Sequence, residues 1–172
     1  MMLDMVRIET TLMEANPQKY SEDQRTDAVK PDGDVEILVN DHLVYKRKTL
    51  CKSLSGLPMP VITITASRNT GKPYRKREAI LVTSRVHPGE SNASFVFQGI
   101  FDMLTKVNDP NVQFLRENFI FKIIPCLNPD GVVRGNYRSS FAGVDLNRQW
   151  ICPDDTIHPE IYHVKQEIEK TY

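Results

Sequence analysis

The amino-acid sequence predicts an α/β fold, a partial mixed β-sheet flanked by helices, with a short β-rich or irregular N-terminal lead-in. Three observations carry this. The runs at 61–65, 79–83 and 119–124 are rich in β-branched and large apolar residues, as buried strands are. Between the last two, Phe97, Ile100, Phe101 and Leu104 recur at helical spacing. The resulting strand–helix–strand rhythm is that of an α/β sheet.

Taken in order, residues 14–34 are polar and punctuated by Pro17, Pro31 and Gly33, and read as a loop or weakly ordered lead-in. Segments 35–39 and 43–45 are short strands, and 48–54 alternates as a half-exposed strand does. Ser55, Gly56, Leu57 and Pro58 supply a turn. The strands at 61–65 and 79–83 are separated by a loop around Asn69 to Pro73 that ends in Arg75, Lys76 and Arg77. A helix should run from Ser91 to about Lys106, capped by Ser91 or Asn92, and Asp109-Pro110 opens a second short helix through Leu115. Glycine and polar residues dominate 128–149, the composition of a functional loop at a sheet edge. Residues 161–168 form a last helix, with His158, Pro159 and Glu160 at its start.

A length of 172 residues with 40% hydrophobic content fits one globular domain. Lys and Arg balance Asp and Glu at 22 each, so no overall field selects nucleic acid, a membrane surface or an acidic substrate. The N-terminus lacks a basic region ahead of an apolar core, and no apolar run approaches the ~20 residues that span a bilayer, so a cytosolic protein is expected. Cys51, Cys126 and Cys152 are odd in number and not spaced as metal ligands, which suits a reducing compartment and passive thiols.

The chemistry-bearing residues cluster in three places. His87 and Glu90, in His-Pro-Gly-Glu, sit between the strand ending near Val86 and the helix starting near Ser91, where α/β folds collect ligands. Gly89 lets the backbone turn between them. Imidazole and carboxylate together suit zinc, although a hydrolytic zinc takes three protein ligands and only two are identifiable. Asn128-Pro129-Asp130-Gly131 reads as a turn, each residue being a turn former. In Asp145-Leu146-Asn147-Arg148, an amide beside a guanidinium offers converging donors for a carboxylate, the alternative being a surface salt bridge. Arg138 lies near enough in sequence to reach the same cleft.

The ordered set of HPGE, NPDG, Gly135-Asn136-Tyr137-Arg138 and DLNRQW resembles the M14 metallocarboxypeptidases, and within them the cytosolic carboxypeptidases that trim glutamates from tubulin tails. The resemblance runs from about Thr49 to the end of the chain and includes the blocks beginning at Thr49, Arg85 and Ile157. It implies a zinc carboxypeptidase-like fold, with residues 1–48 as a polar lead-in and remnant of a β-rich domain, and residues 49–172 as the N-terminal half of the catalytic domain. It implies zinc as cofactor, His87 and Glu90 as its ligands, and Asp145 as acceptor of a hydrogen bond from the far nitrogen of His87. It further implies that Asn147 and Arg148 bind the substrate's terminal carboxylate and that Arg138 stabilises the oxyanion. Protein or peptide C-termini, tubulin tails among them, would be the substrates, with neither nucleic acid nor membrane as partner.

The family's third zinc ligand is a histidine well downstream of DLNR, followed by a pocket tyrosine and a general-base glutamate, and none of these can be placed before Tyr172. The alternative to an enzyme is therefore a truncated, catalytically incomplete fragment that at most binds zinc weakly or docks to microtubules. Such a fragment should leave an open sheet edge and exposed apolar surface. His158 is expected to start the last helix and His163 to pack or face solvent, while Glu160, Glu167 and Glu169 are expected to be solvated. The clusters Lys46-Arg47-Lys48 and Arg75-Lys76-Arg77 read as solvated charge, or as attractors of an acidic polyglutamate chain.

Overall fold

The computed structural model describes residues 2–16, 18–19 and 34–171. The lead-in loop expected over 14–34 lies mostly outside them. The elements in order are α1 (Met2–Glu14), β1 (Val35–Asn40), β2 (Leu43–Lys52), β3 (Pro58–Thr65), β4 (Glu78–Thr83), α2 (Asn92–Leu104), α3 (Pro110–Asn118), β5 (Phe119–Ile124), α4 (Pro129–Arg134) and α5 (Pro159–Thr171), with short 3-10 turns at Tyr74–Lys76 and Leu146–Arg148. The five strands form a mixed sheet of order β1-β2-β3-β5-β4, flanked by helices.

The chain gathers into two compact units. One comprises Met1–Lys48, Ile62–Ile80 and Ile100–Lys122, and the other Thr49–Val61, Leu81–Gly99 and Ile123–Tyr172.

In the first unit β1 and β2 pair antiparallel, Val35 opposite Arg47 and Ile37 opposite Tyr45, with an irregularity between Leu38 and Asn40. The carbonyls of Leu38 and Val39 at that irregularity accept from Asn16 Nδ2 at 3.1 and 3.0 Å, so a side chain replaces the missing ladder bonds. β2 is one strand where two short ones were expected, because Lys46, Arg47 and Lys48 alternate in burial instead of breaking the run. Helix α1 was not foreseen. Glu9 on it is fully buried and accepts from Arg47 Nε at 2.6 Å and from the Tyr45 hydroxyl at 2.7 Å.

Both basic clusters need correcting, since each contributes a buried arginine. Arg77 donates to the carbonyls of Lys72, Ala66 and Ser67 and to Thr65 Oγ1, and so stitches the 65–77 loop together. Arg75 and Lys76 remain exposed, and exposed Lys46 pairs with Glu36 at 2.8 Å. Arg116, on α3, is wholly buried and donates to the carbonyls of Leu104 and Lys106 at 2.8 and 2.9 Å, satisfying acceptors at the end of α2. Helix α3 starts as its sequence predicts, with the Asp109 carboxylate accepting from the Asn111 and Val112 amides and Pro110 in the first turn.

The second unit is built on Met59, Val61, Ile124, Leu127 and Val164, with Leu50, Leu81, Val86, Trp150 and Ile168 packed against them. Helix α5 follows His158, whose Nδ1 accepts from the Asp154 amide at 3.3 Å, and His163 stands edge-on to Tyr162 at 5.4 Å. Two of the three glutamates expected in solvent are instead inside: Glu160 is 2% exposed and Glu167 4%, while Glu169 is exposed. Burial pushes the Cys51 thiol up to about 12 and the Cys126 thiol up to about 11, so neither is a ready nucleophile at neutral pH. Strand β4 closes one side of the sheet order with no buried residue, and Phe95, Val96, Val133 and Ile151 are exposed.

Candidate metal centre

Every site residue read from the sequence falls in the second unit. β4 ends at Thr83, and the chain then turns through Ser84 to Glu90 before α2. This segment is tied by backbone bonds to the residues that follow β5: Ser84 N donates to the Ile124 carbonyl at 3.0 Å, Leu127 N to Ser84 at 2.8 Å and Asn128 N to Arg85 at 3.1 Å. His87 is buried and Glu90 exposed. Glu90 Oε1 lies 3.0 Å from His87 Nδ1, and the opposite ring nitrogen, Nε2, lies 3.0 Å from Asp145 Oδ1. The imidazole thus sits between two carboxylates.

Asp145 is the joint of the site. It caps the Leu146–Arg148 turn by accepting from the Asn147 amide at 2.9 Å, and its other oxygen accepts from Arg138 Nε and Nη2, both at 2.9 Å. Desolvation pushes its carboxyl up, but the Asn147 N–H, the His87 ring and the Arg138 guanidinium outweigh it and hold the group below the usual carboxylate range. Asn147 Oδ1 accepts from Trp150 Nε1 at 2.9 Å, and Arg148 is exposed with Nη1 on the Asn147 carbonyl at 3.3 Å. The side chains of His87, Glu90, Asp145 and Arg138 are therefore linked directly, whereas those of Asn147 and Arg148 stand beside them at the surface.

Asn128-Pro129-Asp130-Gly131 is the start of helix α4, a correction to its reading as a turn. Asn128 Oδ1 accepts from Gly131 N at 2.9 Å and Pro129 takes the first helical position. A capping residue followed by proline is a helix-start signal that the sequence did carry. Asn128 Nδ2 also donates to the Val86 carbonyl at 3.3 Å, just ahead of His87. Asp130, buried, accepts from the Ser53 hydroxyl at 2.6 Å and from the Ser55 amide at 3.1 Å, and also from the Ser55 hydroxyl.

Two glycines set the spacing of these turns. A Cβ on Gly131 would stand 2.5 Å from Pro88 Cγ and 2.8 Å from the Ser139 carbonyl, and one on Gly89 would stand 2.5 Å from Tyr137 Cδ2. Gly89 N donates to the Tyr137 carbonyl at 2.8 Å. Gly131→Ala is expected to destabilise the fold by about 1–3 kcal/mol, the cost of overpacking, as read by urea denaturation. A change below 0.5 kcal/mol would show that the turns part easily.

His87 Nδ1 and Glu90 Oε1, 3.0 Å apart, are donors of kinds that zinc accepts, and two ligands of one tetrahedral zinc at about 2.1 Å each stand roughly 3–3.5 Å apart. Among the described residues no group of three or more His, Cys, Asp or Glu gathers as a complete metal site.

The profile of the zinc carboxypeptidase family, peptidase M14, matches residues 42–171, and the chain belongs to that family. Within it the chain is 50% identical over 137 residues to human cytosolic carboxypeptidase 4 and 48% identical over 132 residues to human cytosolic carboxypeptidase 1. These matches cover 76% and 73% of this chain but only 12% and 11% of the two relatives. Among solved structures, a metallo-carboxypeptidase from Burkholderia cenocepacia superposes with a TM-score of 0.68 at 31% identity, over 74% of this chain and 33% of that one. One from Pseudomonas aeruginosa, in complex with (2-guanidinoethylmercapto)succinic acid, gives a TM-score of 0.65 at 28% identity, over 73% and 32%. No helix among the described residues is long and apolar enough to cross a membrane.

Proposed function

We propose that this chain carries the ligand-bearing part of a zinc carboxypeptidase site that removes C-terminal residues from proteins. The observation that carries the reading is the His87 ring held between Glu90 and Asp145, at 3.0 Å from each. With Asp145 accepting at Nε2, the ring keeps its proton there and turns the lone pair of Nδ1 toward Glu90, the tautomer a metal ligand needs. Zinc bound by this pair would polarise the scissile carbonyl and lower the pKa of a bound water. Arg138, its side chain 47% exposed, would offer its guanidinium to the oxyanion, a contribution of roughly 3 kcal/mol for such a donor. Asn147 and Arg148 would receive the substrate's terminal carboxylate, Arg by a two-pronged grip.

The substrates we infer are protein C-termini, glutamate-ended tails such as those of tubulin in particular, and the compartment is the cytoplasm. The name cytosolic carboxypeptidase, borne by relatives at 42–50% identity, supports C-terminal trimming and the compartment, while the glutamate-ended substrate rests on the motif resemblance alone. A second reading, binding without turnover, is favoured by the absence of a three-ligand group among the described residues. In it the chain binds zinc weakly or docks to microtubules.

The test is to load the protein with zinc, dialyse it against a mild chelator, and assay release of the last residue from a peptide ending in glutamate. Retained stoichiometric zinc with release supports the enzyme. Zinc lost with no release supports the second reading. Asp145→Asn is expected to weaken zinc binding by about 10–100-fold, and unchanged affinity would remove Asp145 from its assigned role.

A further inference from the structure

We propose that Arg85 is a positioning residue that sets the spacing of His87 and Glu90. The inference rests on those two residues being the zinc ligands. Among the described residues Arg85 alone, apart from glycines, has a positive φ, at 55°. This left-handed conformation is costly for a side-chain-bearing residue, and glycine would adopt it freely. The backbone requirement alone would thus be met best by glycine, and the arginine must return something through its side chain.

What it returns is a brace. The guanidinium Nε donates to the Pro88 carbonyl at 3.1 Å, joined by Nη2 on the same oxygen, and Nη1 donates to Ser94 Oγ at 2.7 Å. The side chain therefore reaches past His87 to grip the Pro88 carbonyl, between the two ligands, and anchors it to the first turn of α2. The main chain of Arg85 is itself fixed, its carbonyl accepting from Asn128 N at 3.1 Å while Asn128 Nδ2 holds the next carbonyl, that of Val86. Bend and brace come from one residue. The left-handed bend aims the His87–Glu90 turn, and the guanidinium stops it from rocking about its tether at Gly89.

Bend and brace separate by substitution. Arg85→Asn keeps a residue that tolerates positive φ and removes the brace, Arg85→Lys keeps a charge but loses the fork, and Ser94→Ala frees only the outer anchor. Zinc affinity, measured by competition with a chromophoric chelator, is expected to fall tenfold or more in Arg85→Asn, with an unchanged melting temperature. Ser94→Ala should fall between, and Arg85→Lys should recover part of the loss. The Co(II) spectrum should shift in the same order. In metal-free protein the Gly89 amide should exchange faster in Arg85→Asn. Equal zinc affinity in the Asn variant would overturn the inference. If the unmodified protein binds no zinc, the ligand assignment fails, and unchanged Gly89 exchange would then overturn the brace as well.

Discussion

Glu9→Ala is expected to cost about 3–5 kcal/mol, the penalty of removing one partner from a buried ion pair. Glu9 and Arg47 are 0% and 3% exposed, joined by two bonds of 2.6 and 3.1 Å, with Tyr45 adding a third. Burial, then the Glu9 charge, pushes the Tyr45 hydroxyl well above its ordinary range, so it stays a donor. Without Glu9, the Arg47 guanidinium would lie in a dry site with its main counter-charge gone. Desolvation pulls that guanidinium's pKa down, and the Glu9 bonds more than reverse it. Urea denaturation of Glu9→Ala, Arg47→Ala and the double variant measures the coupling. A double variant as costly as the sum of the singles would show that Glu9 and Arg47 are not coupled.

Glu160→Gln should act in the opposite sense, raising stability at pH 8 by up to about 3 kcal/mol and leaving it nearly unchanged at about pH 4. Burial, with the Asp130 charge adding to it, pushes the Glu160 carboxyl up to about 7, against the pull of its own amide and that of Leu54. Its Oε2 has no hydrogen-bond partner. A carboxyl raised in the folded state contributes stability that is fully present below its ordinary value near 4.5 and is lost as pH rises through about 7. The groups that face it, Asp130 and the neutral Cys51 and Cys126 thiols, offer no counter-charge. Urea midpoints from pH 5 to 8.5 should fall in the unmodified protein and hold level in the variant. A fall of equal size in both would assign the pH dependence elsewhere.

How much of this was legible in the sequence depends on range. The runs at 79–83 and 119–124 became β4 and β5 almost to the residue, since β-branched clusters bounded by breakers need no distant partner to be recognised. That the His87 and Glu90 side chains meet was legible from their being three apart at a strand's end. The burial of Arg47 and Arg77 was not, because an arginine shows its environment only through partners: Glu9 is 38 residues from Arg47. Charge on an amphipathic helix defaults to solvent, so Glu160 was misread as well. The bond between Asp145 and His87 was implied by the motif resemblance, whereas the second bond, from Arg138 to Asp145, appears only once the 138–148 loop folds back on itself.

The closeness of Gly89 to the Tyr137 main chain and of Gly131 to the Ser139 carbonyl, where an added Cβ would stand 2.8 Å from either carbonyl oxygen, has a further meaning. Where loops meet with no side chain between them, their separation equals the thickness of the peptide chain, a length no rotamer can alter. The ligand-bearing corner is gauged against its neighbours by carbonyl oxygens as well as by the Tyr137 and Pro88 rings, so a methyl group added at either glycine would push on the turn that carries His87 and Glu90.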